Sequence, residues 1–237
     1  MNQSVRTPPI LYFRGSPIGL DALVAVPHER FLAPPEFLFD NLDLGAGPVM
    51  HASDAAPGAT RLRMTVARNT SPGIYKGSAK VGNEKYNVEV QIEPYVHLSV
   101  SPRQMIIEAY AGQRLTEQLI FANTGNVTCD IGKTHAFGLY DVFGAERSIG
   151  AAFREPTSAD QSRLDRLVDE LAQGHAGMIR LQFESGAGTI APSEVRTARV
   201  DMHMPSGLKA GHTYTGTLPL HNLRYYVKVR ATETSGK

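Results

Sequence analysis

Apolar and polar positions alternate with a period of two along much of the 237-residue chain, and the clearest such stretch occurs twice. Residues 75–90 read YKGSAKVGNEKYNVEV and residues 214–229 read YTGTLPLHNLRYYVKV, aligned without a gap at a constant offset of 139. Tyr75 matches Tyr214, Gly77 matches Gly216, Asn83 matches Asn222, Tyr86 matches Tyr225, Val88 matches Val227 and Val90 matches Val229. In each copy a first strand alternates (Tyr75, Gly77, Ala79, Val81; Tyr214, Gly216, Leu218, Leu220). Gly82-Asn83 or His221-Asn222 then supplies a turn, because Asn and Gly tolerate positive φ, and a second alternating strand follows. Each copy therefore predicts a β-hairpin, and the glycine inside its first strand predicts a bulge or a close-packed facing side chain.

The match extends backwards. Leu62-Met64-Val66 alternates ahead of Ser71-Pro72-Gly73, and Val200-Met202-Met204 alternates ahead of Pro205-Ser206-Gly207. The pattern predicts an all-β chain of two sandwich domains in tandem, residues 1–94 and 95–237. The link near Pro94-Tyr95-Val96 is too short for free reorientation.

Each domain departs from the shared plan once. Residues 1–48 are rich in proline, with short strands expected at Ile10–Arg14 and Ala22–Val26. The apolar run Phe31–Phe39 contains Pro34-Pro35, which exclude it from a central strand. Two uses stay open for it: an edge strand covering the first sandwich, or an exposed segment that docks on a partner. In the second domain, residues 158–173 predict one inserted α-helix. Ser158 and Gln161 have capping-box spacing, Leu164, Leu167, Val168 and Leu171 form one apolar stripe, and Gly174 suits the stop. That helix is expected to lie over one end or face of the sandwich, with strands at Met178–Phe183 and Arg196–Met204 after it.

Composition sharpens this picture mainly by exclusion. Twenty-two Gly and 15 Pro suit many turns between short strands. A net charge of +1 from 24 basic and 23 acidic residues, well mixed, lacks the footprint of a nucleic-acid binder. Apolar runs are too short to predict a transmembrane segment. The start, MNQSVRTPPILYFRGSPIGL, lacks the basic and apolar regions of a secretion signal. A natural start at Met1 would thus predict a cytoplasmic protein, and a processed chain a periplasmic or envelope one.

Chemistry-bearing motifs are scarce. No nucleophile elbow, phosphate loop or dinucleotide fingerprint appears, so neither catalysis nor a cofactor is predicted. His203, His212 and His221 recur every nine residues, a spacing wider than metal sites use, so no metal is predicted either. Cys129, the one cysteine, lies in an alternating stretch and is expected to be a buried small hydrophobe. Asn69-Thr70-Ser71 and Asn126-Val127-Thr128 read as turn chemistry.

The plan resembles the C-terminal half of bacterial immunoglobulin-like modules, including the broad PapD-like group. Those modules often carry a hairpin like Pro72-Gly73-Ile74-Tyr75-Lys76-Gly77. Leu98–Pro102 and Leu119–Gly125 are similar to their openings, and the likeness covers about half the chain. It implies two immunoglobulin-like β-sandwiches and says little about role. The expected role is a non-catalytic interaction or structural accessory protein. It would bind a protein partner through sandwich edges or the apolar arm, with Phe31, Leu32, Pro34, Pro35, Phe37 and Phe39 as candidate contacts. Two alternatives stand beside it. A pilus-type periplasmic chaperone requires a leader and a basic cleft pair, neither identifiable here. A carbohydrate-binding accessory module would use an exposed ring of Tyr225-Tyr226, and the absence of Trp weakens that reading.

Overall fold

The structure, a computed structural model, describes residues 10–25, 31, 35–39, 49–56, 58–154 and 162–233. It divides into two compact units. Unit 1 comprises Met1–His97 with Thr124–Thr128 and Ala191–Ser193, and unit 2 the remainder. Two short loops from the second half of the chain thus belong with the first unit.

Unit 1 contains β1 (Ile10–Ser16), β2 (Gly19–Val24), β3 (Glu36–Phe39), β4 (Val49–Ala56), β5 (Ala59–Thr65), β6 (Gly73–Val81) and β7 (Glu84–Ile92). Their order in the sheet is β3-β6-β7-β1-β2-β5-β4. β1 runs parallel to β7 over Ile10–Gly15 and antiparallel to β2 over Arg14–Ser16, so one strand serves both layers. Period-two alternation puts Leu11, Phe13, Leu20, Leu62, Met64, Tyr86, Val88 and Val90 into one core.

Unit 2 contains β8 (Leu98–Ser101), β9 (Gln104–Ala109), β10 (Arg114–Asn123), β11 (Cys129–Ile131), β12 (Thr134–Asp141), α1 (Gly144–Arg154), α2 (Arg163–Gln173), β13 (His175–Ser185), β14 (Gly188–Ile190), β15 (Val195–His203), β16 (Thr213–Leu220) and β17 (Leu223–Ala231). Eight strands follow the order β8-β10-β15-β13-β12-β16-β17-β9, while β11 pairs with β14. Cys129 is fully buried, and burial pushes its thiol pKa up, which suits a core residue rather than a nucleophile. The architecture is an all-β sandwich fold in two compact units, with two helices inserted in the second.

The repeated hairpins keep the same register. Tyr75 faces Val90, Gly77 faces Val88 and Ala79 faces Tyr86; 139 residues later Tyr214 faces Val229, Gly216 faces Val227 and Leu218 faces Tyr225. The first tyrosine of each copy ties a corner to upstream backbone. Tyr75 Oη donates to Ser71 O at 2.8 Å, and Tyr214 Oη accepts from Lys209 N at 3.1 Å. At the turns, positive φ falls on Gly82 (58°) and His221 (49°), so the residue before each asparagine turns the chain.

The helical insertion differs from expectation in three respects. It contains two helices, because α1 precedes α2. The N-cap of α2 is Ser162, whose side chain accepts from Asp165 N while Asp165 bonds back, a complete capping box. The expected cap residues Ser158 and Gln161 lie outside the described residues. Finally, α2 packs beside α1 and has no buried residue, so its apolar stripe does not seat on the sheet.

Candidate interaction surface

The Phe31–Phe39 segment was one candidate contact surface. Phe31 is buried in the core of unit 1, tilted against Tyr86. Phe37 and Phe39 are half-buried, stacked on each other and packed on the same core, and Pro35 is half-buried. Leu32 and Pro34 lie outside the described residues. Phe31 thus lies in the core, and Phe37 and Phe39 pack against it from the strand at the sheet edge. What this segment turns outward is Leu38, 72% exposed, and the edge of the sheet, which β3 occupies.

The helical insertion presents more apolar surface. Ile149 and Phe153 on α1, one helical turn apart, are exposed, as are Val142 and Phe143 just before it. On α2, Leu164, Val168 and Leu171 are exposed, and Leu167 is half-buried. Their i, i+4 and i+7 spacing is that of an amphipathic helix, whose apolar face ordinarily turns inward. Here it stays open to solvent.

A polar clamp fixes the start of this insertion. Asp141, at the end of β12, has its carboxylate nearly buried. One oxygen accepts from Phe143 N at 3.0 Å and from Arg147 Nη2 on α1 at 2.9 Å. The other accepts from His212 Nδ1 at 2.7 Å, on the segment leading into β16. Asp141 N also donates to Gly174 O, beyond α2, at 2.8 Å. Ser148 of α1 is buried and its hydroxyl donates to Gly144 O at 2.7 Å. These partners tie the start of α1, the end of α2 and the approach to β16 to one end of the sheet.

The remaining sequence candidates are dispersed. His203 lies on β15, His212 sits in the clamp and His221 in a turn. Among the described residues no group of three His, Cys, Asp or Glu side chains could hold a metal ion. Tyr225 is buried and Tyr226 is 61% exposed, one ring on each face. Tyr226 and exposed Tyr140 flank a shallow depression of about 300 Å³ over Gly138 and Gly216. No helix among the described residues is long and apolar enough to cross a membrane.

No protein-family model matches the chain, and no curated protein matches it. Among solved structures, a two-domain titin fragment (A168–169) is similar at 7% identity, covering 94% of this chain and 97% of that one, with a TM-score of 0.30. The ASH/PapD-like domain 7 of human CEP192 is similar at 11% identity over 58% of this chain and 87% of that one, TM-score 0.28. A family 123 glycoside hydrolase from Clostridium perfringens is similar at 8% identity, TM-score 0.32; the match covers 60% of this chain and 28% of the hydrolase. With TM-scores this low, none of them informs the role of this chain.

Proposed function

We propose that the chain is a non-catalytic interaction module that binds a protein partner through the exposed apolar face of its helical insertion. The observation supporting this reading is the open stripe of α2: Leu164, Val168 and Leu171 are exposed and no residue of that helix is buried. Apolar side chains at i, i+4 and i+7 are the anchors of helix-in-groove recognition. The helix packed alongside adds the exposed Ile149 and Phe153. Clustered apolar surface of this kind marks binding sites on soluble domains, whereas scattered exposed leucines do not. The Asp141 clamp holds the helices in place before any partner arrives, which lowers the ordering cost of binding.

The open edge at β3, with Leu38 beside it, is a second place where a partner's strand could add. The helical surface is favoured because its apolar side chains are more numerous. A photo-cross-linking residue at position 168, with a matched one at the exposed Arg68, tests the reading in cells of the native source. A single discrete adduct from position 168, absent from position 68 and re-formed from the two purified proteins, is the expected result. Adducts of equal yield and pattern from both positions would overturn it.

A further inference from the structure

Unit 2 carries a groove of about 730 Å³ lined by exposed residues of β10, β15, β13 and β12. Strand register places Arg114 of β10 opposite His203 of β15, and Arg180 of β13 opposite the same His203. Three basic side chains therefore form one row across three adjacent strands. All three are exposed and line the groove. In the next row Thr116, Asp201 and Gln182 face one another, and Thr134 of β12 faces Gln182.

On this face Arg199 pairs with Glu184 at 2.8 Å, and Asp201 accepts from Thr116 Oγ1 at 2.7 Å. Glu184 and Asp201 share a hydrogen bond that raises the Glu184 pKa, whereas hydrogen bonds from Thr116 and Glu184 lower that of Asp201. Among the described residues, Arg114, Arg180 and His203 form no hydrogen bond or ion pair. The row thus presents two exposed arginines, of which Arg114 is drawn to the Asp201 carboxylate of the next row.

The kind of ligand follows from what the groove offers. β10, β15 and β13 are each paired on both sides, so an extended peptide cannot add main-chain bonds there. Among the described residues the lining contains no Phe or Tyr on which a base or a neutral sugar ring would stack. It offers guanidinium groups, hydroxyls, a side-chain amide and one carboxylate. The two arginines are two strand spacings apart at the backbone, about 10 Å, which suits charges repeated along a chain. We propose that this groove binds an acidic oligosaccharide: Arg114 and Arg180 take its anionic groups, and Thr116, Thr134, Gln182 and Asp201 its hydroxyls.

Calorimetric titration of the full chain in about 50 mM salt tests this. The probes are tetragalacturonate (carboxylate), a heparin-derived tetrasaccharide (sulfate), neutral maltotetraose and hexaglutamate peptide. At least one acidic tetrasaccharide binds, maltotetraose and hexaglutamate bind at least about tenfold more weakly, and affinity falls with added salt. The tetragalacturonate and heparin arms show which anionic group is preferred. The double variant Arg114→Gln/Arg180→Gln loses about tenfold or more with its unfolding midpoint little changed, since both side chains are exposed. Four results would each overturn the proposal. These are no binding of either acidic tetrasaccharide at millimolar concentration, equal binding by the double variant, equal binding of maltotetraose, or hexaglutamate binding at least as tightly.

Discussion

Gly77 and Gly216, 139 residues apart, meet the same obstacle. Each lies on a strand crossed by a phenylalanine from the neighbouring strand. A Cβ on Gly77 would collide with Leu38 O and lie 2.6 Å from the Phe39 ring, and one on Gly216 would lie 2.6 Å from Gly138 O and 2.7 Å from the Phe137 ring. The glycines exist for space, since neither has positive φ. Gly77→Ala and Gly216→Ala should each cost roughly 1–3 kcal/mol through overpacking. Gly150 on α1 has nothing within 4 Å, and Gly150→Ala should stabilise its helix by about 1 kcal/mol. Urea unfolding of the three variants checks the contrast in sign.

The paired tyrosines Tyr86 and Tyr225 share a position and differ in satisfaction. Tyr86 Oη donates to Glu84 at 2.5 Å, whereas Tyr225 Oη is buried without a partner. Tyr86→Phe should therefore destabilise by roughly 1 kcal/mol, and Tyr225→Phe should be neutral or stabilising. Burial, followed by the charge of Glu117, pushes the Tyr225 pKa up to about 12. An unfolded tyrosine ionises near 10, so between pH 10 and about 12 the unfolded chain binds fewer protons than the folded one. Stability from this group is complete below pH 10 and falls as pH rises through that window. Tyr225→Phe should flatten the alkaline limb of a stability–pH curve measured by chemical unfolding.

Asn126 uses its whole side chain inside unit 1. Its Oδ1 accepts from Tyr95 N at 2.6 Å, and its Nδ2 donates to Thr70 O at 2.9 Å and Glu93 O at 3.1 Å. Asn126→Ala leaves three part-buried backbone groups without this partner and should cost roughly 1–2 kcal/mol. Asn126→Asp keeps the acceptor but turns an anion toward two carbonyls, so it should cost at least as much at neutral pH. Thermal unfolding of the two variants beside the parent measures both.

Asp141 is the point on which the helical insertion hangs. Asp141→Ala removes acceptors used by Phe143 N, Arg147 and His212. Loosening should be local: amide exchange in α1 should rise by about tenfold or more, while the core amides of β10 and β15 keep their protection. Hydrogen exchange by mass spectrometry resolves the two regions.

The closing hairpins were legible in the sequence because their information is local: alternation, a turn pair, and residues recurring in phase. Their register follows from the turn alone, so Tyr75 to Val90 and Tyr214 to Val229 could be aligned before any sheet was known. The positive φ falls on His221, one residue ahead of the asparagine; both residue types tolerate it, so the sequence alone did not choose between them. Helix α1 escaped because Gly144 and Gly150 lower its propensity and Ile149–Phe153 is a single apolar pair. The α2 cap was displaced because Asp165 takes the place usually held by Glu or Gln in a capping box. The Asp141–His212 bond and the Arg180–His203–Arg114 row depend on strands far apart in sequence, so no spacing rule could find them. The burial of Phe31 and the exposure of α2 were hidden for a related reason. An apolar stripe states that a face will be covered, and whether by its own chain or another is a tertiary fact.

That last distinction is also what a direct experiment can address. With no residue of α2 buried, Leu164→Glu/Val168→Glu/Leu171→Glu should leave the fold and unfolding midpoint unchanged. Titration of the purified partner captured at position 168 against this triple variant and its parent is the decisive measurement. The account predicts about a hundredfold or greater loss of affinity, as expected when anchor side chains are replaced. Undiminished binding by a correctly folded triple variant would contradict it.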